Sequence, residues 1–169
     1  MHFSKLYFLL TALVFSFTSK AQTTNYQVYA LYVVNIAKYS SWPALSGEFN
    51  ITVFGRSKVY DELLKQNGKM VNGHNMKITQ AENISDIGHP QIIYLADGKS
   101  NTLDDLIKMT EGKSVMIICE REGLHKRGAG FSFVVMDNGT LRCDINASEL
   151  EKRQIRLSKN LSALTNSSI

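Results

Sequence analysis

Residues 91–119 read QIIYLADGKSNTLDDLIKMTEGKSVMIIC, and the order of their apolar runs decides the fold class. Residues 91–96 follow Pro90 as a short, unbroken apolar run closed by Asp97 and Gly98, which suits a strand buried on both faces. Residues 101–112 predict a helix: Asn101 or Thr102 can cap it, Asp104 and Asp105 occupy the first turn, where the helix dipole favours acids, and Gly112 stops it. Residues 114–119, SVMIIC, repeat the buried-strand pattern. Two such strands joined through a helix predict a mainly parallel sheet with helices packed on it.

Toward the amino terminus, residues 49–55, FNITVFG, form a β-branched run that stops at Gly55. Ser57 can cap the next helix, whose Val59, Tyr60, Leu63 and Leu64 make one stripe ended by Asn67 and Gly68. Asn72 and Gly73 then turn the chain into residues 74–81, whose alternation suits a half-exposed strand near a sheet edge. Residues 83–89 have room for one helical turn.

Toward the carboxyl terminus, residues 120–130, EREGLHKRGAG, read as a charged, glycine-rich loop. Residues 131–136 and 140–145 flank Asp137-Asn138-Gly139, turn chemistry that predicts an antiparallel hairpin. A last helix is expected over residues 148–164, with Leu150, Ile155, Leu157, Leu161 and Leu164 inward and Lys152, Arg153, Arg156 and Lys159 on other faces, before a frayed tail over 166–169. The expected fold class is therefore α/β: a mainly parallel sheet of about four strands with flanking helices, plus a C-terminal antiparallel β-hairpin and a terminal helix.

Residues 26–43, YQVYALYVVNIAKYSSWP, lack internal glycine or proline and predict a helix that Pro43 ends at or before Trp42. Few of its residues are polar before Asn35 and Lys38, so it is covered on most sides, by its own domain or by a partner. Its aromatic set, Tyr26, Tyr29, Tyr32, Tyr39 and Trp42, has the same two readings: core packing, or stacking on a ligand or partner.

Residues 1–21 read as a cleaved secretory signal peptide, with a short basic start, an apolar run over 6–17 and small residues at Ser19 and Ala21 before Gln22. The run is shorter than the roughly 20 residues of a membrane span. Residues 22–169 then form a single domain, with no membrane span expected after signal removal. Losing residues 1–21 removes Lys5 and Lys20 and no acid from 19 basic and 15 acidic side chains, so the net charge is near +2 and carries no nucleic-acid footprint.

No residue pattern builds a catalytic, metal or cofactor site. Gly128-Ala129-Gly130 enters a strand and not a helix, unlike a nucleotide fingerprint. His74, His89 and His125 lie in separate loops, without carboxylates or cysteines at ligand spacing, and read as surface histidines. The acid pairs Asp104-Asp105 and Glu120 with Glu122 suit a helix start and a solvated loop. The two cysteines, Cys119 and Cys143, sit in apolar runs, where they can pair as a disulfide or remain two buried thiols.

The stretches YVVNIAKYSSWP, ITVFGRSKVYDELL, GKMVNGHNMKI, QIIYLADGKS and GAGFSFVVMDNGTLRCDINASELEKRQIRLSKNLSAL, in that order, resemble the YfiR family of exported bacterial proteins. The resemblance spans nearly all of residues 22–169. It implies a periplasmic α/β domain that is not an enzyme and takes no cofactor. The best-known member holds a membrane-bound diguanylate cyclase inactive by binding its periplasmic sensor part, and relatives occur beside or joined to sensor histidine kinases. Known members can also carry more cysteines and rely on disulfides.

The implied function is that of a periplasmic regulator in cyclic di-GMP signalling, which binds and represses the sensor part of an inner-membrane cyclase or histidine kinase; a homodimer is a further expected partner state. The family's binding residues do not transfer to this sequence. The candidate partner or ligand surface therefore comes from residue chemistry alone: Tyr29, Tyr32, Tyr39, Trp42 and the basic trio His125, Lys126 and Arg127. The alternative is a module for a small molecule or cell-wall fragment. Its pocket would use loop 120–130 and nearby aromatics, at the carboxyl strand ends where Gly55, Asp97 and Glu120 should fall.

Overall fold

The computed structural model describes residues 25–168, so the expected signal peptide lies outside the described residues. Helix α1 is Tyr26–Lys38, followed by the two-residue strand β1, Ser40–Ser41. Strand β2, Phe49–Phe54, leads to helix α2, Val59–Leu64; the short β3, Met70–Val71, turns into β4, His74–Ala81. Strands β5, Ile92–Leu95, and β6, Met116–Cys119, are joined through helix α3, Leu103–Met109. The hairpin β7, Phe131–Val135, and β8, Leu141–Ile145, precedes helix α4, Ala147–Lys152, and strands β9, Arg156–Leu157, and β10, Thr165–Ser168.

The main sheet has the order β10-β8-β7-β6-β5-β2-β4-β3, so it is wider and more mixed than the mainly parallel sheet of about four strands that the sequence predicts. The four predicted strands do form its centre, where β4, β2, β5 and β6 run parallel to one another. The hairpin is not a separate appendage. Strand β7 joins β6 in parallel and turns antiparallel to β8, which places it inside the same sheet. Its turn uses the expected residues: Gly139 has φ 79°, and the Thr140 amide donates to Asn138 Oδ1 at 2.9 Å.

The sheet is covered on both faces, and β5 and β6 are accordingly buried at every position. On one face Ile51, Val53, Ile92, Tyr94, Ile118, Phe131 and Phe133 pack under α1 and α2. On the other, Phe54, Ile93, Leu95, Ile117 and Cys119 meet Leu103 and Leu106 of α3. Exposure alternates along the middle of β4, with Met76 and Ile78 buried and Asn75 and Lys77 exposed, which suits its place beside the terminal β3.

One helix keeps within the sequence expectation and one departs from it. Helix α1 ends at Lys38, four residues before Trp42, because Ser40 and Ser41 pair antiparallel with Leu157 and Arg156 of β9. The Asn72 side chain fixes that exit by donating to the carbonyls of Ala37 and Ser40, both at 3.0 Å. The helix expected over 148–164 stops at Lys152; Gln154 follows with φ 59°, and β9, a 3-10 turn over Lys159–Leu164 and β10 take its place. Residues 166–168 of the tail expected to fray thus belong to an edge strand, parallel to β8.

Candidate functional site

The ends of the central strands are in register: Phe54 pairs with Leu95, and Leu95 with Cys119. The residues that follow, Gly55, Ala96 and Glu120, therefore line up along the carboxyl edge of the sheet. Gly55 has φ 93°, and a Cβ there would lie 2.6 Å from Lys99 Cγ, so only glycine lets the chain leave β2 this close to the start of the next loop. Ser57 accepts a hydrogen bond from the Val59 amide at 3.2 Å, which starts α2 as its sequence position predicts.

These loops enclose a cleft of about 520 Å³, lined by Tyr26, Arg56–Asp61 without Val59, Gln80, Asp97, Gly98 and Glu120. Glu120 is its central acid. Burial raises the Glu120 carboxyl above its ordinary range, opposed by the Asp97 amide, which donates to it at 3.3 Å, and by Ser57 and Tyr94. Beneath it lies the wholly buried Tyr94, whose hydroxyl is directed toward Glu120 and Ser57 without closing a short hydrogen bond to either, and is raised by burial and by Glu120. The expected loop contributes only Glu120, because residues Leu124–Arg127 form a 3-10 turn that runs elsewhere.

Of the aromatic candidates Tyr29 is buried, and Tyr32, Tyr39 and Trp42 are half-buried. Tyr29 is buried and meets Phe133 edge-on at 4.8 Å, while Tyr32 packs on the same ring and its hydroxyl donates to the Leu141 carbonyl. Tyr39 is half-buried under the Lys38 ammonium at 5.5 Å, and half-buried Trp42 meets Phe49 edge-on at 4.9 Å. The exposed apolar side chain of α1 is instead Leu31, at 48%.

The basic trio is split. Lys126 and Arg127 are exposed, with Arg127 paired to Asp104 at 3.0 Å, but His125 is 1% exposed and not the surface histidine its charged setting suggests. Gly123 and Gly128, both at positive φ, bracket the turn that swings its ring inward. His125 Nδ1 lies 2.7 Å from Ser132 Oγ and 3.8 Å from Asp144 Oδ2, and Asn146 holds its carbonyl at 2.8 Å. Serine, histidine and aspartate do not make a nucleophilic triad in this arrangement. Serine and acid share one ring nitrogen, whereas a triad needs them on opposite nitrogens, and Nε2 is sealed from solvent without a partner. Among the described residues no cluster of three metal-ligating side chains occurs, and no helix is long and apolar enough to cross a membrane.

Cys119 and Cys143 are both buried, and no disulfide joins them. Cys119 belongs to the α3 face of the sheet and Cys143 to the α1 face, with β7 between their strands, so their thiols point apart. Burial raises both thiols, Cys143 to about 12 with help from Asp144. Thiol reagents at pH 8 should therefore find both groups blocked in the native protein and both reactive after denaturation. Rapid native labelling would show that the sheet opens.

No curated protein matches the chain significantly. A family does: the one described as YfiR/HmsC-like, DUF4154, matches residues 26–165, from the first residue of α1 to the first of β10. A match over the whole layered core, helices and sheet together, means that the chain belongs to the YfiR/HmsC-like family.

Proposed function

We propose that the protein is an exported, non-enzymatic regulator in cyclic di-GMP signalling, which binds and represses the periplasmic sensor part of an inner-membrane cyclase or histidine kinase. Family membership over residues 26–165 carries this reading. It is supported by the sealed His125, Ser132 and Asp144 cluster, where a substrate has no access to either histidine nitrogen. It draws further support from α1, whose Val28, Leu31 and Val34 follow one another at helical spacing with Leu31 in solvent. Val28 and Val34 pack in part against the core, so Leu31 is the side chain of this stripe left for an outside contact.

Detergent-solubilised inner membrane from the native host, passed over the immobilised protein, should yield a membrane sensor. Leu31→Glu should abolish that capture, as a loss of about 2 kcal/mol or more at a central contact does, and leave the melting temperature nearly unchanged. Failure to retain any inner-membrane sensor across several conditions would sink the reading. Undiminished capture by Leu31→Glu would move the contact off α1.

A further inference from the structure

The cleft at the carboxyl edge occupies the place where the sheet changes direction. The connection leaving β2 passes to β4 on one side, and the connection leaving β5 passes to β6 on the other. Helix α2 consequently packs on one face of the sheet and α3 on the opposite face. Loops that diverge in this way leave a crevice between them, the position at which open α/β sheets take their ligands.

Charge in the crevice is incompletely matched. Asp97 is paired with Arg121 at 2.7 Å, and Arg56 with Glu82 at 3.1 Å. Neither Glu120 nor Asp61 has an ion-pair partner among the described residues, and the remaining cation, Lys58, rests 5.8 Å from the centre of the Tyr26 ring. Two unmatched carboxylates thus face one ammonium group. Behind them the buried Tyr94 hydroxyl, unpartnered and directed toward Glu120 and Ser57, is a donor held ready for an ionised Glu120. A half-buried carboxyl in this position lacks a cation to compensate its lost hydration, and an entering ammonium would supply one. Its N–H groups could reach Glu120 and the Ser57 oxygen, in a crevice that Tyr60 also lines.

We infer that this crevice is a binding site for a small organic molecule with a primary ammonium group, with Glu120 as the principal acceptor. The site does not depend on the regulator reading, since the partner capture above tests α1 and a ligand titration tests the sheet edge.

The test titrates the purified protein with putrescine, glucosamine and alanyl-alanine, which place the same group on a free amine, an amino sugar and a peptide end. Thermal melting and amide NMR shifts are the readouts. At least one compound at millimolar concentration should raise the melting temperature, with shifts centred on residues 56–61, 97–98 and 120, and its fully N-acetylated counterpart should do neither. Glu120→Gln keeps the shape and removes the charge, and should weaken binding about tenfold or more. If that variant does not fold, Asp61→Asn at the exposed rim replaces it, with a weakening of about threefold. Silence from all three compounds, an equal response to the acetylated forms, shifts away from the crevice, or unchanged affinity in the folded variant overturns the inference.

Discussion

Replacing Phe133 with alanine should lower the stability of the protein by about 4 kcal/mol, the range for emptying a buried aromatic site. Phe133 is 1% exposed and lies at the meeting point of three tyrosines: Tyr29 at 4.8 Å, Tyr32 at 5.8 Å and Tyr94 at 6.3 Å. Its loss removes transfer free energy and leaves a cavity that the sheet backbone cannot close. It also breaks two edge-on pairs, each worth about 1 kcal/mol beyond area burial. Against a typical total of about 5–15 kcal/mol, that is a large share, and the melting temperature should fall by about 10 °C. Urea unfolding of wild type and variant, at equal m-value, measures it. A change below about 1 kcal/mol would mean that α1 is not clamped to β7 through this ring.

Arg153→Leu should cost about 3 kcal/mol, although the residue lies in a charged stretch near the carboxyl terminus. Arg153 is 7% exposed. Its Nη1 donates to the Thr110 carbonyl at 3.1 Å, to Thr110 Oγ1 at 2.9 Å and to the Val115 carbonyl at 3.2 Å, while Nε donates to Glu149 at 2.8 Å. Leucine fills the space but takes the guanidinium donor from the Val115 carbonyl and the Thr110 hydroxyl, and it leaves the largely covered Glu149 carboxylate with only Lys152 at 3.6 Å, while the Thr110 carbonyl keeps the Lys113 amide at 3.1 Å. Arg153→Lys should recover little, because one ammonium cannot reproduce the planar fork. Equilibrium unfolding reads both losses, and faster amide exchange around residues 110–116 would localise them. A neutral Arg153→Leu would show that water replaces the fork without cost.

Why the sequence reveals some of this and conceals the rest follows from the range of the interactions. The strands β2, β5 and β6 are legible because burial on both faces demands an unbroken apolar run, and a run needs no distant partner to be recognised. The β7–β8 hairpin is legible because Asp137-Asn138-Gly139 carries its own turn geometry. The carboxyl edge is legible through Gly55, Asp97 and Glu120, which close strands whose direction follows from the parallel arrangement. Ser40 and Ser41, by contrast, are a strand only because Arg156 and Leu157 lie beside them. The leucines at 157, 161 and 164 repeat at helical intervals, yet pairing of the neighbouring residues with β1 and β8 prevails over that local preference. Arg153 and His125 mislead for a related reason: each is a polar residue in a polar stretch whose hydrogen-bonding partners sit on other elements. Tyr94 gives no sign in the sequence that its hydroxyl will lie unpartnered behind Glu120.

The short β1–β9 ladder has a kinetic consequence. It ties the exit of α1 to the last quarter of the chain, and the Tyr32 hydroxyl reaches the Leu141 carbonyl across a sequence separation of 109. A chain that emerges amino end first can fold α1 against β2 but cannot latch it until those late residues appear. Loop closure over such distances is slow, and places the folding of a mixed sheet toward the millisecond-to-second range. Until the latch closes, the apolar face of α1 stays open to chaperones and to neighbouring chains. The same helix that would meet a partner in the finished protein is then the segment most in need of protection while the protein is being made.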